Sequence, residues 1–359
     1  MHAWPINIKP FSDELLSSWL IRTSLANGSD PSSLVGAIWG NWRVWTVDID
    51  RSAPIDRLST LSKVSGMSIE RLKNMTLQPA IEFILKQSNL NSRQAWQWVI
   101  PTGSRNRTRI NGLHFCSECL KESPVYFKKS WRLAWDTVCP KHHNLLSVAC
   151  PACSSTISPH LVTFENVDLR KCVVCRYDLT QVPAIKADKA VVNLQDFVDS
   201  LVLSPCKTPE YPLGILDASE LFEVLHFLVI FLHTAYKGLM PFQRLFSELD
   251  LRIEDAHFSH LPGTTFESYP VLERYFLMQA VSRIFMRSRE DVIKLFVQTG
   301  LTQQMLSDSD GRPKIIEEIY EKLLNNGRNA TLTKHPKKPI KPRSKTEVDA
   351  LMDEILPFL

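Results

Sequence analysis

Eight residues of metal-ligand type stand in two consecutive quartets: Cys116-x2-Cys119 with Cys139-x2-His142, then Cys150-x2-Cys153 with Cys172-x2-Cys175. Each pair reads as a short turn, and two pairs about twenty residues apart can close a tetrahedron around one zinc ion. A set of disulfides or scattered core thiols is the alternative, and the repeated two-residue spacing argues against it. His142 rather than the neighbouring His143 completes the first quartet, because it repeats the spacing of the other three pairs. Four protein donors leave no coordination position for water, so the expected cofactors are two structural zinc ions that stabilise the fold directly.

The remaining cysteine is Cys206. A leftover thiol and zinc-type spacing fit a reducing cytoplasm better than an oxidising compartment. The start, Met1-His2-Ala3-Trp4-Pro5, lacks the basic and then apolar stretches of a signal peptide. No apolar run approaches the roughly eighteen residues that span a bilayer, and the longest, Leu221–Leu232, is broken by Glu223 and His226. No membrane partner is expected.

The formal charge of +4 changes once the ligands are counted. Seven thiolates and two divalent ions bring it to about +1. Residues 1–112 carry +5, 113–185 carry +2 before metal, 186–333 carry −5, and the tail from Lys334 carries +2. A basic front and an acidic back suit two kinds of partner or a head-to-tail dimer; ordinary surface variation is the plainer account.

The expected fold class is mainly α. Four segments are expected: an N-terminal helical domain over 1–112, a tandem zinc segment over 113–182, a C-terminal helical domain over 183–333, and a basic tail over 334–359 with a short amphipathic end at Val348–Leu356. Residues 12–27 read as a helix, with Ser12 as N-cap and Asp13 and Glu14 in the first turn. Trp39, Trp42 and Trp45 recur every three residues, a stripe that belongs to a core more often than to a base-stacking platform. Residues 55–77 read as a helix-turn-helix: Gly66 permits the left-handed turn, Ser68 caps the second helix, and Ser62 is small at the crossing. Ser65 is polar where an apolar residue is usual. Arg71, Lys73 and Asn74 on the second helix are candidate nucleic-acid contacts, as are Arg105, Arg107 and Arg109 in a Gly/Ser-flanked stretch. Structural packing of the helix pair and a solvated linker are the alternatives. Helical spacing recurs at Val191–Leu203, Glu220–Leu232, Leu272–Met286, Val292–Leu301 and Ile315–Leu324.

The sequence contains no P-loop, dinucleotide glycine motif, G-x-S-x-G elbow or H-E-x-x-H. Acidic residues of 186–333 could in principle bind a nuclease metal, but they lie on amphipathic helices beside basic neighbours, as solvated charge does. No catalytic residue is expected.

The middle of the chain reads Phe115-Cys116-x2-Cys119-Leu120, Trp131-Arg132-Leu133, Cys139-Pro140-x-His142-x3-Leu146, Cys150-x2-Cys153 and Cys172-x2-Cys175-x2-Asp178-Leu179. With the opening Pro10-Phe-Ser-Asp-Glu-Leu-Leu-Ser-Ser-Trp19-Leu-Ile-Arg22, this resembles the TniQ/TnsD family of transposition targeting proteins. The resemblance covers roughly the first half of the chain. It implies a non-enzymatic selector of insertion sites that links a target to an AAA+ ATPase regulator and, through it, to a transposase. It carries over the eight metal ligands and no catalytic residue. Some relatives bind an attachment-site DNA; others, in CRISPR-associated transposons, bind the guide-RNA-bearing Cascade complex as head-to-tail dimers. The short chain and near-neutral working charge favour a Cascade-associated adaptor. A sequence-specific DNA-binding protein is the alternative.

Overall fold

The computed structural model describes residues 4–88, 90, 94–102, 104–105, 108–109, 112–202, 212–215, 217–256, 258, 264–306 and 312–325. The expected basic tail with its amphipathic end, Cys206 and Arg107 lie outside these residues, as do the side chains of Arg105 and Arg109. The fold is mainly helical, with tandem cysteine/histidine clusters in its middle region.

The first core belongs to four helices: α1 (Leu16–Ala26), α2 (Pro31–Trp39), α3 (Ile55–Ser65) and α4 (Ile69–Asn74). They bury Trp19, Leu20, Ile38, Trp39, Leu58, Leu61 and Leu72 together. Trp39 meets Trp42 edge-to-face with centroids 4.9 Å apart, and Trp45 stacks on His160, so the tryptophan stripe does pack. α2 begins as Asp30 accepts from the Ser33 N–H at 2.8 Å with Pro31 in the first turn. α3 ends at Gly66, whose φ of 72° is left-handed. The Ser68 hydroxyl accepts from the Arg71 N–H and starts α4. Ser62 donates to the Met67 carbonyl across the turn at 2.6 Å. Ser65 is buried, and its backbone and hydroxyl oxygens accept from Asn7 Nδ2 and the Met67 N–H. A polar residue fits this position because both oxygens have donors.

The start of α1 differs from expectation. Its N-cap is Leu15, not Ser12, and no side chain caps it. Glu14 turns inward, fully buried, and accepts from Ser18 Oγ, Arg22 Nη1 and the Phe11 N–H. Backbone bonds from Leu15 to Phe127 and from Lys129 to Asp13 tie this entry to the middle of the chain. Chain threading overrides the local capping signal here.

A second core runs from Leu77 to Leu323, with Leu15. It includes α5 (Gln78–Leu85), α6 (Ser117–Lys121), α7 (Lys189–Val202), α8 (Ala218–His233), α9 (Met240–Glu248), α10 (Val271–Phe285), α11 (Arg289–Thr299) and α12 (Lys314–Glu321). Ser104–Arg105 and Thr108–Arg109 form a two-residue antiparallel pair, β1 and β2. Helices α5 and α9 are absent from the sequence reading; Pro79 and Pro241 stand in their first turns, where a missing N–H costs nothing. α8 packs against α5 and α10. With the turn that follows it, Ala218–Lys237 is long and apolar enough to cross a membrane by length and composition, which the sequence reading missed; 67% of its most apolar window is buried. Its apolar surface is spent on the core: Phe222 packs on Trp98 and Trp135, and Phe231 on Phe242 and Phe296.

The two cores are joined by Arg132, which is 1% exposed. Its Nη1 and Nη2 donate to the two carboxylate oxygens of Asp48 at 3.1 and 2.6 Å, and Nη2 also reaches the Ile100 carbonyl. Asp50 lies 3.6 Å away and accepts from the N–H and hydroxyl of Ser17 in α1. Removing one partner leaves a buried charge uncompensated. Asp48→Ala should therefore lower unfolding stability by about 3 kcal/mol, measured by urea denaturation of metal-loaded protein; a loss within about 0.5 kcal/mol, typical of surface substitutions, would contradict a joining role.

Candidate metal centres

Three of the four ligand pairs share one turn. In the pairs beginning at Cys139, Cys150 and Cys172, the carbonyl of the first cysteine accepts from the N–H four residues on: His143, Ser154 and Arg176. Its own N–H donates to the carbonyl five residues on, at Asn144, Ser155 and Tyr177. His143, Ser154 and Arg176 all take positive φ, 53°, 57° and 65°, so the chain turns sharply and both ligands of a pair face one point. The fourth pair uses a helix: Cys116 is the N-cap residue of α6, and Cys119 lies one turn along it.

The turns bring all eight expected ligands into two clusters, in each of which the donor atoms lie within 4.8 Å of one another. In the first, Cys119 Sγ is 3.6 Å from Cys139 Sγ, while His142 Nδ1 lies 3.5, 3.3 and 3.6 Å from the sulfurs of Cys116, Cys119 and Cys139. In the second, Cys150–Cys175 and Cys153–Cys172 sulfurs are 3.5 and 3.7 Å apart. A zinc tetrahedron has edges of about 3.8 Å between sulfurs and about 3.5 Å between sulfur and nitrogen, from bonds of about 2.3 and 2.05 Å. The donor set and spacing fit such an ion at both places. His143 does not join the first cluster.

The sulfurs also explain why a cation is wanted. Hydrogen bonds from the Cys119 and Cys139 thiols pull Cys116 down to about 2, and the same contacts push Cys119 up. Protein donors support one thiolate; adjacent anions need a positive ion. In the second cluster burial pushes Cys172 up, but the Ser155 hydroxyl and the N–H groups of Cys175 and Val174 bring it to about 6. Ser155 Oγ lies 3.0 Å from Cys153 Sγ and 3.3 Å from Cys172 Sγ.

Two supporting residues escaped the sequence reading. Ser155 is one, and its only signal is its place two residues after a ligand. Glu122 is the other. His142 turns Nδ1 to the sulfurs and presents Nε2 to Glu122 Oε1 at 3.2 Å. The Lys141 ammonium, 2.6 Å from Oε2, holds the Glu122 carboxyl below the usual carboxylate range. A carboxylate behind a histidine ligand fixes the ring and its tautomer.

The candidate nucleic-acid residues are not brought to one place by anything described. Arg71 and Asn74 are exposed on α4. Lys73 pairs with Glu82 of α5 at 3.1 Å, and the Asn74 carbonyl accepts from Lys129 Nζ. Of Arg105 and Arg109, only the backbone pairing is described.

A family model described as TniQ matches residues 5–146. The match takes in α1–α6, the Arg132 junction and the first cluster, and it ends before Cys150. A search of curated proteins finds no match.

Metal analysis of the purified chain should give about two zinc ions, both lost with the fold under a strong chelator; one or none would overturn the pairing of the clusters. Glu122→Gln should weaken zinc at the first cluster roughly tenfold or more and leave the second unchanged, read by competition with a chromophoric chelator. An unchanged affinity at the first cluster would remove the role given to Glu122.

Proposed function

We propose, on the premise that the chain carries a TniQ domain, that it is a non-catalytic adaptor joining a Cascade complex with its guide RNA to an AAA+ ATPase regulator and its transposase. A TniQ domain marks a transposition-related targeting protein; the choice of Cascade and of the ATPase goes beyond that. The match over residues 5–146 carries the reading. Two further features support it. Each cluster supplies four protein donors, so a bound zinc has no open position for a substrate. The basic 1–112 and acidic 186–333 segments suit head-to-tail pairing of two copies, or separate partners at the two ends, in the cytoplasm.

The second reading is direct recognition of an attachment site. Arg71 and Asn74, exposed on a helix that follows a tight turn, favour it. Lys73 counts less, since Glu82 already neutralises it.

The test is co-purification of the tagged full chain with Cascade subunits and with the ATPase regulator. Association with both at low salt is expected; no association with Cascade would contradict the adaptor. On duplex DNA the adaptor predicts weak binding that is indifferent to sequence. Arg71→Ala with Lys73→Ala should change it by less than about threefold, whereas loss of tight, salt-dependent binding to one duplex would favour the second reading.

A further inference from the structure

A cleft of about 250 Å³ opens between the Val148, Ala149 and Thr156 stretches beside the second metal cluster and the start of α10. Ile100, His114, Val148, Glu267, Val271 and Arg274 are among its walls. Arg274 is 1% exposed and donates to neutral acceptors, from Nε to the Tyr269 carbonyl at 3.2 Å and from Nη1 to the Ala134 carbonyl at 2.6 Å. Among the described residues it makes no ion pair. His114 is 4% exposed, and its Nδ1 has no hydrogen-bond partner among the described residues. Pro270, the N-cap of the fifteen-residue helix α10, supplies no capping side chain, and the first N–H groups of a helix attract anions. The buried Arg274, the buried His114 and the uncapped start of α10 thus line one cavity. Such buried polar groups cost stability unless something pairs with them.

We propose that this cleft binds an organic carboxylate, seated on Arg274 and the start of α10, with its stem against Ile100, Val148 and Val271. The proposal stands apart from the targeting role. A guanidinium donates strongly to a carboxylate, and with Nε and Nη1 engaged by carbonyls, Nη2 is the donor left for it. The apolar walls suit a flat or aliphatic stem. Glu267 argues for a single negative charge: its Oε1 accepts from the Trp98 N–H at 2.8 Å and faces His226, so it remains as an anion in the wall and repels a dianion. Burial lowers Arg274 to about 10, with Glu267 and Asp136 opposing, which leaves it charged near neutral pH.

The test uses the zinc-loaded full chain and three probes: benzoate, its neutral isostere benzamide, and inorganic phosphate. Equilibrium dialysis should give saturable benzoate binding, about tenfold or more tighter than benzamide, with no displacement by phosphate. Val271→Phe, which fills the cleft, should abolish benzoate binding while keeping zinc content and melting temperature; Thr156→Leu, on the opposite wall, serves if that variant does not fold. Absent saturable benzoate binding, equal binding of benzamide, displacement by phosphate, or undiminished binding in the folded filled variant would each overturn the proposal.

Discussion

Four ligand pairs, spread over sixty residues, hold their donor atoms in two groups less than 4.8 Å across, and the middle of the molecule depends on that closure. Ile157, Val162 and Leu179 are buried beside the second group, but its turns are otherwise poorly packed. Leu161, Phe164, Val167 and Val174, around its turns, are exposed rather than packed. Thiolates at such spacing repel one another unless a divalent ion sits between them. The repeated turn, with its left-handed residue after each pair, orients the donors but supplies no counter-charge. An ion bound at each group would add folding energy directly.

The clustered segment works as a junction because its flanks reach in both directions. Toward the N-terminus, Phe127 and Lys129 pair with the backbone of Leu15 and Asp13 at the entry to α1, and Arg132 holds Asp48 and Asp50. Toward the C-terminus, Trp135 Nε1 donates to Asp199 at 2.8 Å, and Gln195 accepts from the N–H groups of Thr137 and Val138 while donating to the Val138 carbonyl. Trp98, Trp135, Phe222 and Phe266 then pack as one aromatic cluster. Helices on either side are fixed through buried polar pairs, whose geometry tolerates little displacement.

What could be read from the sequence follows from the range of each signal. Ligand pairs three residues apart are local, so the spacing carried all eight donors. Helical periodicity located α7, α8, α10, α11 and α12 closely, and the Gly66 turn with its Ser68 cap was equally plain. Glu14 was misread as a first-turn acid because its burial depends on Arg22 and on the segment at 126–129, far along the chain. The partners of Arg132 and the carboxylate behind His142 were invisible for the same reason: Asp48 lies 84 residues from Arg132, and nothing local marks it. Ser65 looked like a flaw in a helix pair until Asn7 and Met67 supplied its hydrogen bonds.

Zinc K-edge absorption spectroscopy on the purified chain measures the central claim most directly, since it counts the atoms bound to the metal. Two closed clusters with seven sulfurs and one nitrogen predict a first shell dominated by sulfur at about 2.3 Å, with a minor nitrogen near 2.05 Å and no water. A shell rich in oxygen or nitrogen, or a bound water at either ion, would contradict two structural clasps and put an open metal site in their place.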